Sequence, residues 1–463
     1  MKFATMHHTL AELTENFSLS LFDHATLKEH AEQALTITEK WHQRNCPLKA
    51  LFVFWFVILM AIYRYKSIAH ITRHIIMVFR ETAPELHTRA ITPEALMHAR
   101  KRLGTEPLKT AFELMGAAMA EPATFHGFRV WGIDGVDFTL PDTPANEKAF
   151  GRPASPRGTA AFPQMQAVAL ISLATHQIRD CHFTPYNTSE HEACEILLRS
   201  LGPGDLLLAD RGFPAVFLFE KMMQRGIHFV FRIGDQWTRR TIAQRGPGDY
   251  IVRVSQKVHT GQTRGTKQKA RRTITLTLRM IEYRISEQET IRLLTSLMDH
   301  LDVPAIEIAH LYHQRWDCEI SFDEIKTHMI TVKQGILDTD FRSKKPDGVL
   351  QEAYGMLIGY NLIRGLMTEA ATHHDISPLH ISFVDTLQVV EFSLPIFERA
   401  HPEQLDFLLK RLLDDIAACR LTRPRRIRSY PRKIRKKMSS YLLKRPSDRE
   451  SRKDHKAELV LVG

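Results

Sequence analysis

Three carboxylates and one cationic helix face carry the chemistry this sequence can do. Asp134 in VWGIDGVDF, Asp210 in LLLADRGF and Glu319 in YHQRWDCEISFDEIK lie far apart along the chain, and each context can aim a side chain out of a structural element. Three acidic residues converging from different elements can share two divalent cations about 4 Å apart, which activate an attacking oxygen and stabilise a leaving oxyanion. Hard cations such as Mg²⁺ or Mn²⁺ take such oxygen ligands. Phosphodiester cleavage or transfer is what that arrangement allows, with Asp134 placed to bridge the metals.

The stretch from Tyr312 to Lys326 reads as one helix. At about 100° per residue, Tyr312, Arg315, Glu319 and Lys326 fall within an arc of roughly 60° spread over about 20 Å of axis. Leu311, Phe322, Ile325 and Met329 form an apolar stripe beside that arc, so the helix can pack on a core while its polar face looks into a cleft. A solvated, salt-bridged face explains the same spacing, because Glu with Arg or Lys one turn apart stabilises helices. Asp137 and Asp142 are neighbours of Asp134, and Asp323 shares the arc with Glu319; geometry alone does not choose among them. His191 and Cys194 have a metal-like spacing without partners, so no zinc site is expected. Neither a nucleotide-binding glycine loop nor a Ser/His/Asp triad stands out.

Which elements must hold these side chains? Up to about Glu121 the periodicity is helical. Thr92-Pro93 supplies an N-cap and a first-turn proline, and ARKRLG closes that helix with basic residues and glycine before a second helix from Thr105. Two helices so joined, with Arg100, Lys101 and Arg102 at the corner, suit a DNA-binding helix-turn-helix or plain packing. From Phe128 the pattern turns to strand, ending near Asp134 with Asp-Gly turn chemistry. Gln166 to Ile171 and Gln177 to Phe183 read as an antiparallel pair, and Ser189 to Leu201 as an amphipathic helix with a Ser189/Glu192 capping box. Leu206 to Ala209 is a short apolar strand that delivers Asp210 at its carboxyl end, where ligands gather in sheets of this kind. A helix from Pro214 and a strand from Ile227 to Ile233 follow. Residues 236–298 read as a β-rich insertion with a basic loop, and apolar helices run from about Gly348 to Leu413.

Composition narrows the class. With 463 residues and 44% hydrophobic content the chain can bury a sizeable core. Five scattered cysteines without a CxxC pair, and no secretory leader, point to a reduced cytosolic protein. The apolar run Leu51 to Tyr63 has 13 residues, whereas a membrane span needs about 20, so a buried helix is expected and no membrane partner. Between Arg423 and Lys456 there are 15 Lys or Arg against 3 Asp or Glu, and the rest of the chain is nearly balanced at 48 against 49. All the excess positive charge therefore sits in one C-terminal segment, which attracts a polyphosphate or stays solvated.

Tyr312, two residues, Arg315, three residues, Glu319, six residues, Lys326 resembles the signature of the insertion-sequence-four family of DDE transposases. The surroundings of Asp134 and Asp210 resemble that family's first and second catalytic regions, and the resemblance selects Glu319 over Asp323. It implies a ribonuclease-H-like α/β core, a mixed sheet flanked by helices and interrupted by a β-rich insertion, behind an all-helical N-terminal domain. The boundaries expected are 1–125 for DNA-end binding, 126–235 and 299–400 for the catalytic core, 236–298 for the insertion and 401–463 for the basic segment. It further implies a cut-and-paste DNA transposase with Asp134, Asp210 and Glu319 as catalytic metal ligands for two Mg²⁺ or Mn²⁺ ions. Tyr312, Arg315, Lys326 and Arg211 would contact DNA. Implied partners are the terminal inverted repeats and target DNA, with a homodimer in the synaptic complex, in a bacterial cytoplasm at the nucleoid. A catalytically idle DNA-binding protein and a nuclease without strand transfer on the same core are the alternatives.

Overall fold

The computed structural model describes residues 3–421 except 16, 18, 42–45, 88, 157, 263–268, 287–288 and 331–338. The basic C-terminal segment that the composition singles out lies outside the described residues.

Among the described residues, six α-helices come first: α1 (Phe3–Glu15), α2 (Leu27–Ile37), α3 (Ala50–Ile62), α4 (Ile68–Thr82), α5 (Pro93–Leu103) and α6 (Glu106–Ala118). Every residue of α3 is buried, as its unbroken apolar run requires, and each fully buried Leu, Ile, Val or Phe contributes roughly 1.5–3 kcal/mol. No described helix is long and apolar enough to cross a membrane. Thr92 caps α5 by accepting from the Ala95 amide, Pro93 takes the first turn and Gly104 ends it at φ 75°, so the caps read from sequence form as written.

A mixed sheet follows. Its main strands are β1 (Phe128–Thr139), β2 (Gln164–Ser172), β3 (Ile178–Pro185), β4 (Asp205–Ala209), β5 (His228–Ile233), β6 (Arg239–Gly246), β7 (Asp249–Gln262), β8 (Lys269–Ser286) and β9 (Glu289–Thr295). They lie in the order β3-β2-β1-β4-β5-β9-β8-β7-β6, and the short strand Ala123–Phe125 pairs with β1. Among the described strands, β1 with β4 and β4 with β5 are parallel, and the other pairs are antiparallel. The described strands of residues 236–298 continue the core sheet through the β9–β5 pairing.

Two expectations about local structure change. The first strand does not stop at Asp134: β1 runs on to Thr139 because β2 keeps pairing with it, from Asp134 opposite Ala169 to Thr139 opposite Gln164. Asp-Gly favours a turn locally, but a neighbouring strand can override that preference. Nor is Tyr312 to Lys326 one helix. It divides into α10 (Ala305–His313), a break at Gln314 and Arg315, α11 (Trp316–Asp323) and a π-helical run Glu324–Ile330. The break is tight, with the Arg315 amide donating to the Tyr312 carbonyl and the Cys318 amide to the Arg315 carbonyl.

Helices cover both faces of the sheet. On one side α8 (Glu190–Leu197) and α9 (Val216–Gln224) pack on Trp131, Ile133, Leu207 and Phe229. On the other, the N-terminal helices, α7 (Pro144–Phe150), α10, α11, α12 (Pro346–His373), α13 (Phe383–Phe397) and α14 (Leu405–Ala418) share one core with Val130, Leu206 and Leu208. Alternation along β1 therefore sends Val130, Gly132 and Asp134 to the α11 side and Trp131, Ile133 and Gly135 to the α8 side.

Close packing at two glycines fixes the layers. A Cβ at Gly355 of α12 would meet Val57 Cγ1 of α3 at 2.6 Å, so the two long helices touch backbone to side chain. A Cβ at Gly132 would lie 2.0 Å from Cys318 Sγ, so α11 sits directly on β1. An ionic seam reinforces the first contact. Buried Glu352 of α12 meets Arg64 at 3.1 Å and Arg100 at 3.5 Å, and the Arg342 amide donates to it at 3.0 Å. Arg100 of the helix corner is thereby turned into the protein, while Lys101 and Arg102 are exposed.

Candidate active site

The parallel pairing of β1 with β4 ends at Ile133 opposite Ala209. The next residue on each strand is an aspartate. Asp134, within β1, and Asp210, just past the end of β4, therefore stand at one level on neighbouring parallel strands, where β4 quits the sheet and opens a crevice. Backbone amides hold both: Asp134 accepts from the Gly135 amide at 2.9 Å, and Asp210 accepts from the Gly212 amide at 2.8 Å.

Glu319 arrives on α11, one residue after the cysteine that seats this helix on Gly132. Its side chain is 49% exposed, against 19% for Asp134. Between them lies Arg315, at 7% exposure: Nη1 is 3.8 Å from Asp134 Oδ2, and Nη2 donates to Glu319 Oε1 at 3.2 Å. The same guanidinium lies 5.2 Å from the Trp316 ring centroid.

The crevice is short of positive charge. Burial pushes the Asp134 carboxyl up to about 6; the Gly135 amide and Arg315 oppose this, and the charges of Asp210 and Glu319 add to it. Glu190, the first residue of α8, is also held above the usual range, by burial first and then by Asp210, Asp134 and Asp137. Glu190 is the acid that reading the sequence missed, because it looks like an ordinary first-turn residue after a serine cap. A glycine stands right after Asp134 and another two residues after Asp210, and that pair was the available signal. As for the cap, Ser189 accepts from the His191 amide rather than completing the expected box with Glu192.

The remaining sequence candidates separate. Lys326 donates to the carbonyl of Asp137, towards the end of β1, at 2.6 Å and lies 4.0 Å from Asp340. Arg211 is exposed beside Asp210. Tyr312 is only 4% exposed, its phenol pushed up by burial, so it offers little surface to a strand of DNA as it stands. Among the rivals, Asp323 accepts from its own Thr327 at 2.8 Å, and Asp142 pairs with Arg152, away from the crevice.

Residues 127–362 match the family described as transposase DDE domain, and residues 12–113 match the insertion element 4 transposase N-terminal domain. The chain belongs to the insertion element 4 family of DDE transposases. It is 28% identical over 408 residues to the transposase InsG for insertion sequence element IS4 of Escherichia coli strain K12, covering 86% of this chain and 87% of that one. A cryo-EM structure of the piggyBac transposase synaptic complex with hairpin DNA is similar at a TM-score of 0.45 and 10% identity, covering 89% of this chain and 85% of that one. This transposase is accordingly an insertion-sequence enzyme that cleaves DNA and transfers strands.

A DDE domain implies dependence on divalent metal. The donors of the transposase fit a hard cation. They are carboxylate oxygens, mutually repelling, and a guanidinium already stands between Asp134 and Glu319. Yet among the described residues no three acidic, His or Cys side chains are gathered closely enough to hold an ion. The trio is drawn towards one crevice but is not preassembled, contrary to the convergence expected from sequence.

Proposed function

We propose that this transposase works by cut-and-paste, with Asp134, Asp210 and Glu319 as the acids of its catalytic centre and two Mg²⁺ or Mn²⁺ ions as its cofactors. The observation that carries this reading is the level placement of Asp134 and Asp210 on adjacent parallel strands, with Arg315 linking Asp134 to Glu319. Divalent cations, when bound, would supply the activation of the attacking oxygen and the stabilisation of the leaving one.

The protein's own groups do the rest. Arg315 keeps Glu319 beside Asp134 in the absence of metal. Once the acids are neutralised, its guanidinium is released to a phosphate, for which its planar donors are suited. Arg211 at the crevice mouth and Lys326, on the π-helical run beside the Asp137 end of β1, hold phosphates on either side of the cut and so fix the register of the DNA strand. The inverted repeats of an insertion sequence and a target duplex are the DNA partners, and two copies of the chain pair the two ends. Hydrolysis at the transposon end frees a 3′-hydroxyl, whose attack on the opposite strand makes a hairpin that is reopened and joined to target DNA.

The test is to incubate the full chain with a plasmid carrying the flanking inverted repeats and Mg²⁺. Strand-transfer products are the expected result. Cleavage without joining would replace this reading by a nuclease, and retarded but uncut DNA by a binding protein.

A further inference from the structure

Glu190 has a placement that the three-acid reading leaves unused. A Cβ at Gly135 would lie 2.8 Å from Glu190 Oε1, and a Cβ at Gly212 would lie 3.0 Å from Glu190 Oε2 and 3.1 Å from Asp210 Oδ1. One carboxylate thus fills the space that two missing side chains leave, one beside each catalytic aspartate. Neither glycine has a positive φ, so neither is required by its backbone conformation. What they provide is room for Glu190 to come up to the crevice from the α8 side of the sheet.

A structural role does not account for this orientation. An acid in the first turn of a helix is favoured by the helix dipole wherever its side chain points, including into solvent. Glu190 instead turns towards two other carboxylates, and among the described residues it forms no hydrogen bond or salt bridge in return. Arg315, the cation of the crevice, reaches Asp134 and Glu319 on the α11 side. Like charges placed together without a counter-charge destabilise a fold unless a cation joins them.

We propose that Glu190 is a fourth acidic ligand of the divalent-cation centre, binding on the Asp210 side. The inference rests on the assignment of Asp134 and Asp210 to that centre. It makes the site four-sided: Asp134 and Glu319 on one face of β1, Glu190 on the other, and Asp210 between them where β4 ends.

The test uses the full-length chain and Mn²⁺ without DNA, with affinity read from the Mn²⁺ dependence of thermal unfolding. Glu190→Gln should weaken Mn²⁺ binding about tenfold or more, and Glu190→Asp should recover part of the loss. In EDTA the Gln variant should unfold no earlier than the parent, because it removes a repulsion; earlier unfolding would assign Glu190 a structural role and overturn the proposal. Gly212→Ala, which crowds both carboxylates without altering either, should also weaken Mn²⁺ binding and gives a second reading should the Gln variant fail to fold. If Asp134→Asn loses Mn²⁺ while Glu190→Gln and Gly212→Ala keep it, the fourth ligand is refuted and the three-acid centre stands. If Asp134→Asn keeps it as well, the centre itself has been misassigned.

Discussion

The acid crevice and the seam around Glu352 use the same side chains in opposite proportion. In the seam one buried carboxylate is bound by Arg64, Arg100, Ser343 and a backbone amide, and these hold the Glu352 carboxyl below the usual range despite its burial. In the crevice Asp134 and Glu319 share the Arg315 guanidinium, and the Asp134 carboxyl is pushed up instead. The seam is complete and binds the N-terminal helices to α12. The crevice is left wanting positive charge, as a cation-binding site must be before its ions arrive. Burial is common to both; what differs is whether the protein supplies the counter-charge itself.

That contrast can be broken from either side. The largest effect should come from Asp134→Asn, which ought to lower DNA cleavage by at least about 10³-fold while leaving end binding in EDTA intact. Loss of both activities in gel-shift and cleavage assays would mean that Asp134 is needed for folding. In the seam, Glu352→Ala should cost about 3–5 kcal/mol in urea unfolding, because it leaves buried arginines without their carboxylate.

The same Asp134→Asn change should stabilise the metal-free protein at pH 8, by roughly 1–3 kcal/mol. A carboxyl raised from 3.8 to about 6 favours the fold while protonated. This contribution is present below about pH 4 and is lost as the pH rises through about 6. The advantage of the Asn variant should therefore fade between pH 7 and pH 4, and saturating Mg²⁺ should reverse it. A pH-independent difference would remove the electrostatic account of the crevice. The smallest effect is expected from Arg315→Ala, about tenfold weaker productive binding of transposon ends with Mn²⁺ affinity retained. A matching fall in metal affinity would mean that Arg315 stays with the acids when metal is bound and is not released to the DNA.

Much of this was legible because local rules and tertiary packing agreed. The Thr92, Pro93 and Gly104 signals of α5, the apolar delivery of Asp210 by β4 and the buried α3 all follow from residue type and period. Where the sequence misled, a distant partner had decided the matter. β2 carries β1 past its Asp-Gly pair. Helical periodicity drew one helix through Tyr312 to Lys326, whereas the chain bends at Gln314 and Arg315. Glu190 was invisible because its meaning lies in two glycines more than twenty residues away on either side.

The π-helical run from Glu324 to Ile330 changes what the spacing of a motif means. Buried Glu324, where it begins, pairs with Arg364 and accepts from the Tyr360 hydroxyl at 3.0 Å, so α12 pins the wide turn in place. Each loop of such a coil takes up more residues than an α-turn. The six residues separating Glu319 from Lys326 are thus measured with two rulers, a narrow one as far as Asp323 and a broad one after it. Removing a single residue from the second part would let it relax to the narrower pitch and swing the lysine away from Asp137. An alignment that scores this gap by length alone would not notice.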